Sequence, residues 1–260
     1  MAMPLTEEQE RFKADYIRDR GYWVPFNDGL LAYAPEFLTA YFNYAALPAR
    51  AGPLPARVRE LIYVAIDSST THMFAQGLEI HVKAAFAAGC SVADLMEVMQ
   101  LAAAQGLDSV GSGMAIIADE LAAAGIEQGV DERPLSSAEA GLRDRFVAAF
   151  GDWPSWCDQL VRRDPDYVDA MTAMLAAPCG QTRLDAKTRA IVQLALAASP
   201  THLDHRAIRE HARRAIASGA TSAELVEVLQ LCAHLGVHAC VIGVPLIVDN
   251  APTQPSPDAA

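Results

Sequence analysis

The sequence predicts an all-α protein built as a tandem duplication of one helical module, and three observations predict it. Residues 130 positions apart keep recurring: Pro4-Leu5-Thr6 with Pro134-Leu135-Ser136, Gly21 with Gly151, Trp23 with Trp153, Gly89 with Gly219. From Leu54 to Gly113 this one register gives 20 identities in 60 positions, a repeat of domain size rather than a solenoid period. Helix start and stop signals fall at matching places in both copies, and no strand-like alternation competes with them. The expected boundaries are 1–128 for the first repeat, 131–251 for the second and 252–260 for a disordered tail, with a linker from Gly125 to Arg133.

Five helices are expected per copy. Thr6-Glu7-Glu8-Gln9 and Ser136-Ser137-Ala138-Glu139 are capping boxes that open a first helix, which Gly21 or Gly151 stops. Pro35 and Pro165 suit the first turn of a second helix, where the missing N–H costs nothing. A third runs through ARVRELIYVAI or AKTRAIVQLAL, and a fourth carries His81 or His211 and ends at Gly89 or Gly219. The fifth starts at Ser91 or Thr221, with an acidic residue three positions on. In its second copy Glu227, Gln230, His234 and His238 fall within an arc of about 80° on an ideal helix that is otherwise apolar. Such a thin polar stripe on a buried helix must face a cavity, an interface or compensating partners. The first copy keeps Glu97 and Gln100 and ends the stripe with Ala104 and Asp108.

Composition narrows the function classes. A formal charge of −12 argues against a nucleic-acid partner, because phosphate binding needs clustered Lys and Arg. The N-terminus lacks the basic-then-apolar pattern of an export signal, and no unbroken run of roughly 18 apolar residues suggests a membrane partner. Five cysteines, an odd number without a C-x-x-C pair, read as thiols of a reduced cytoplasmic protein.

Seven histidines carry the strongest functional signal. His72 and His81 recur as His202 and His211, each pair following a Thr, and imidazole is the side chain best placed to move protons at neutral pH. His205 faces Ala75 in the register and reads as a surface residue.

The order Arg59-Glu60-Leu61-Ile62, then His81 to Gly89, then Ser91 to Gly106 resembles the carboxymuconolactone decarboxylase family of the AhpD-like all-helical fold. The second copy, with Thr201-His202, the stretch from His211 to Cys240, and Gly243-Val244-Pro245, is similar to its two-domain members. The resemblance implies a homotrimer, a pseudo-hexamer of repeats. The family's peroxidase branch carries Cys-x-x-Cys, but here His72 and Ala75 stand at those positions, so thiol chemistry is disfavoured.

What the resemblance implies is a carbon–carbon lyase with no cofactor, acting on a small anionic lactone or oxo-acid of aromatic catabolism. The substrate loses carbon dioxide, electrons move into a conjugated carbonyl, and a proton returns to carbon. His211, His202, His81 and His72 are the candidate acids and bases, with Glu227 and Glu97 orienting a histidine or acting as base. Arg59 and Arg189 are candidates for holding a substrate carboxylate, and His234 and His238 for further substrate contacts. The Glu60-to-His81 interval is slightly longer than the family's, so the substrate need not be the namesake lactone. Two other readings stay open. His234 and His238, at i and i+4, suit a metal site completed by His202 and Glu227. Alternatively the duplication serves assembly alone, with protein partners filling the polar stripes.

Overall fold

The computed structural model describes residues 5–126, 133–178 and 184–251, and every regular element among them is helical. The first repeat holds α1 (Glu7–Arg20), α2 (Pro25–Tyr33), α3 (Pro35–Ala51), α4 (Ala56–Ser68), α5 (Ala75–Ala87), α6 (Val92–Ala104) and α7 (Leu107–Ala123). The second holds α8 (Ser137–Phe150), α9 (Ser155–Arg163), α10 (Pro165–Ala176), α11 (Ala186–Ala198), α12 (His205–Ala217), α13 (Ser222–Ala233), a 3-10 turn (His234–Val237) and α14 (His238–Asp249). Helix starts and capping residues recur 130 positions apart. The capping boxes at Thr6 and Ser136 form as expected, and Gly21 and Gly151 end their helices at φ +77° and +87°. Most of the expected linker and all of the tail lie outside the described residues.

Among the described residues each repeat has seven α-helices where five were expected. The additional α2 and α9 were hidden because their segments carry turn-like residues, Pro25, Asn27, Asp28 and Gly29 in the first. Packing of α14 on α2 and of α7 on α9 overrides that signal, and a local bond pins each short helix: Trp23 Nε1 donates to Asp28 at 2.9 Å and Trp153 Nε1 to Asp158 at 3.0 Å. The expected long fifth helix is also broken, at Gln105–Gly106 in one repeat and by the 3-10 turn in the other. The joined stretches Val92–Ala123 and Ser222–Asp249 are long and apolar enough to cross a membrane by length and composition. Both are interrupted by these breaks, and both carry a buried glutamate paired with an arginine of the protein.

Two compact units emerge, and they do not follow the repeat boundaries. One joins Met1–Leu54 with Ala233–Ala260; the other is Pro55–Cys232. In the smaller unit Tyr16 stacks edgewise on Trp23 at 5.2 Å and packs on Phe42 at 5.0 Å, and α14 lies on α2. Gly29 permits that approach, since a Cβ there would meet the Val248 side chain at 3.2 Å. In the larger unit the core joins both repeats: Leu61, Val64 and Ala65 of α4 with Leu95, Val98 and Leu101 of α6 meet Val192 and Leu196 of α11. A second cluster centres on Phe146, Cys157, Val161 and Met171, against which Leu107 and Val110 of α7 pack. Phe146 meets Trp153 edgewise at 5.3 Å, repeating the Tyr16–Trp23 pair. The last helix of each repeat thus docks on the early helices of the other, α14 on α2 and α7 on α9.

Candidate active site

The helix α12 opens where Asp204 accepts the Ala207 N–H at 2.8 Å and closes at Gly219, φ +87°. It forms one wall of a cleft of about 390 Å³, whose other walls come from α6, α8, α10 and α11. A smaller adjoining chamber of about 80 Å³ shares Leu101, Phe146, Leu175, Gln193 and Arg214 with the cleft, so the two form one recess. His211 lines this chamber with Arg206, Glu210 and Asp108. Its Nδ1 is wholly shielded and meets no hydrogen-bond partner among the described residues. Burial, with the charges of Arg214 and Arg206 next, pushes the His211 pKa down to about 3, so the imidazole is neutral at physiological pH.

The two arginines are held differently. Arg206 donates to Glu210 at 2.8 Å, to Ser112 Oγ at 3.0 Å and to Asp108 at 3.1 Å, over the face of Trp156 at 5.9 Å. Gly111 cradles its guanidinium: a Cβ there would meet it at 2.6 Å. Among the described residues Arg214 donates its Nε–H to Asp152 at 2.8 Å and its two terminal NH₂ groups meet no acceptor, which leaves them for a ligand. Asp108 also bonds His202 Nε2 at 3.1 Å; burial raises its pKa against the opposing pull of His202 and Arg206. His205 is exposed at the start of α12, as expected.

Arg59, Arg189, Glu97 and Glu227 form reciprocal pairs across the repeats. Arg189 donates through Nε and Nη2 to Glu97 Oε1 at 2.9 and 2.6 Å, and Arg59 approaches Glu227 Oε1 at 3.6 Å. Glu97 also accepts the Leu184 N–H at 2.8 Å. Glu97 and Glu227 are buried, 4% and 1% exposed, so each carboxylate is compensated by the arginine of the other repeat. Thr71 and Thr201, one register apart, meet through their hydroxyls at 3.1 Å.

The first-repeat histidine lives differently. His81 Nδ1 bonds Glu60 Oε2 at 2.9 Å, and its ring stacks on Tyr63 at 4.3 Å. Nearby Asp67 is 1% exposed, and its Oδ2 meets no hydrogen-bond partner among the described residues. Burial raises its pKa to about 7, with Glu60 adding to the shift and His81 opposing it. His72 tilts against Phe74 at 5.7 Å, and burial lowers its pKa.

Residues 35–119 match the model of the carboxymuconolactone decarboxylase family. These residues belong to that family. Over 95% of this chain and 98% of the other, the structure is similar, with a TM-score of 0.86 and 28% identity, to a crystal structure from Burkholderia xenovorans LB400 described as "a putative gamma-carboxymuconolactone decarboxylase subunit". No curated protein matches the sequence. The fold is the AhpD-like helical fold of that family, and the two likenesses support a decarboxylase-like enzyme.

The carboxymuconolactone decarboxylase segment contains Arg59, Glu60, His72, His81 and Glu97, whereas His211 lies beyond it in the recess. One expectation from the sequence is corrected. His234 and His238 were placed on one face of a continuous α-helix, but the chain from His234 to Val237 is a 3-10 turn. At about 120° per residue it carries His238 about a third of a turn away from His234, where an α-helix would leave them about 40° apart. His234 is buried edgewise against Tyr44 at 5.1 Å. The i, i+4 ligand pair suggested for a metal is therefore not formed by these two residues. Asp108, Arg206 and Arg214 were not foreseen. The signal was present in the difference between copies: HRAIREHARRAIA carries four arginines where AQGLEIHVKAAFA has one lysine.

Proposed function

We propose that the protein is a cofactor-independent decarboxylase or related carbon–carbon lyase acting on a small carboxylated lactone or oxo-acid, with the recess at His211 as its working site. The observation that carries this reading is a neutral imidazole set beside a guanidinium with unused donors, in a chamber adjoining a cleft with apolar walls. Arg214, assisted by Arg213 on the cleft wall, holds a carboxylate that the product retains. The departing carboxylate lies against Leu101, Phe146 and Leu175. An ion pair on it would stabilise the ground state more than the transition state, because its charge is leaving.

The bond to that carboxylate breaks, carbon dioxide leaves, and the electron pair moves into the conjugated carbonyl as an enolate. The bound anion offsets the repulsion that Arg206 and Arg214 exert on His211, so the imidazole takes up a proton only when substrate is present. His211 then gives that proton to carbon, and solvent restores it. Arg206, tethered by Asp108 and Glu210, adds positive charge where the enolate oxygen develops. His202 acts through Asp108 as a positioning residue.

The Glu60–His81 pair, inside the family segment, favours a second reading with proton transfer in the first repeat. Turnover of carboxylated lactones and oxo-acids by wild type, His211→Ala and His81→Ala separates the two. The recess reading expects His211→Ala to lose at least about 100-fold in kcat, the range for a general acid, with His81→Ala nearly unaffected. The reverse pattern would move the site to His81. We also propose a homotrimer, for which exposed apolar residues on α14 (Ile242, Leu246, Ile247) and α7 (Ile116, Ile117) supply surface. Sedimentation equilibrium returning a monomer mass would reject that assembly.

A further inference from the structure

The two repeats place different groups around the same histidine, and three of the differences bear on its ring. Where the first repeat has Glu60, the second has Ala190; where it has Tyr63, the second has Gln193; where it has Ala84, the second has Arg214. In the first repeat the carboxylate of Glu60 occupies His81 Nδ1 at 2.9 Å and Tyr63 covers the ring face. In the second, Ala190 and Gln193 line the recess, the equivalent Nδ1 has no partner among the described residues, and a guanidinium with two unused NH₂ groups has been added. At the ring nitrogen itself an anion is lost, Glu60 to Ala190, and a cation is added, Ala84 to Arg214, while the acids the second site gains, Glu210 and Asp108, are taken up by Arg206 at 2.8 and 3.1 Å. A buried polar nitrogen without a partner is costly to the fold, and a bound hydrogen-bonding group would recover that cost.

We propose that a ligand carboxylate completes this chamber, docking between His211 and Arg214 at the position that Glu60 takes on His81. Ala190 is then the residue that makes the second site receptive, while the first site is filled by the chain's own carboxylate. This rests on the reading of the recess as the substrate site. It adds the register in which the substrate is held and the side chain that decides it.

The test uses maleate, an unreactive small dicarboxylate, and protein with isotopically labelled histidine rings followed by NMR. Maleate is expected to shift the ring signals of His211, assigned by their loss in His211→Gln, and to leave those of His81 in place. Ala190→Glu should weaken maleate at least tenfold and bring His211 into titration between about pH 5 and 8 without any ligand. Ala190→Gln, of equal size but uncharged, should leave His211 neutral over that range. Arg214→Met leaves position 190 alone and should also weaken maleate at least tenfold, so the test does not hang on a larger side chain being accepted there. Unchanged maleate affinity in Ala190→Glu or Arg214→Met, or maleate shifts at His81 instead, would overturn the proposal. Binding that behaves as stated while no lactone or oxo-acid is turned over would sink the lyase reading alone.

Discussion

His211 and His81 hold equivalent positions in opposite electrostatic surroundings, and their neighbours make the difference measurable as stability. The folded-state pKa of His211 lies at about 3, below the ordinary value of 6.5. Below pH 6.5 the unfolded chain binds a proton that the folded chain refuses, so stability falls as pH drops from 6.5 towards 3, by up to about 1.4 kcal/mol per pH unit. His211→Gln should flatten that limb in urea melts between pH 7 and about 4; an unchanged slope would mean that His211 is not kept neutral. Asp67 has the opposite sign. Its folded pKa of about 7 lies above the ordinary 3.8, so its burial is increasingly unfavourable as pH rises from 4 to 7 and stays so above. Asp67→Asn should raise the melting temperature at pH 8 and leave it unchanged at pH 4. At Gly111 the effect is steric: Gly111→Ala would displace the Arg206 guanidinium and should lower kcat/KM about tenfold, within the range of a misplaced positioning group. The histidines themselves were legible in the sequence. Asp108 was not read as part of a site, because its partner His202 is 94 residues away and only tertiary packing joins them.

Capping residues, glycine stops and the 130-residue register make most helices legible in the sequence, since those signals act within a few residues of the backbone they satisfy. Two helices escaped because their stability is tertiary. α2 is pinned by Trp23 and covered by α14; α9 is pinned by Trp153 and packed against α7. The polar stripe on the fifth helix was likewise half legible. Glu97 and Glu227 do face compensating partners, but these are Arg189 and Arg59 of the opposite repeat. Breaking one member of such a buried pair costs about 3–5 kcal/mol, much of it from the charge left behind. Glu97→Leu and Arg189→Met should each destabilise by roughly that amount, and the double variant by clearly less than their sum. Additive losses in a denaturant-based double-mutant cycle would mean that the two side chains do not depend on each other.

At the scale of the whole molecule, the exchange of terminal helices makes each repeat structurally incomplete. A chain ending at residue 128 retains α2 without α14 and α7 without α9. Such a fragment is expected to be aggregated or self-associated, and a monomer with a cooperative thermal transition would contradict this. The exchange has an evolutionary consequence as well. If two identical modules exchanged helices as separate chains, the positions now occupied by Asp108 and His238 would be written by a single codon, and neither could change alone. Fusion gives each position its own codon. The Asp108–His202–Arg206 linkage could then arise without writing the same change at residue 238, so the peptide connection between the repeats is what lets their symmetry be broken by ordinary point mutation.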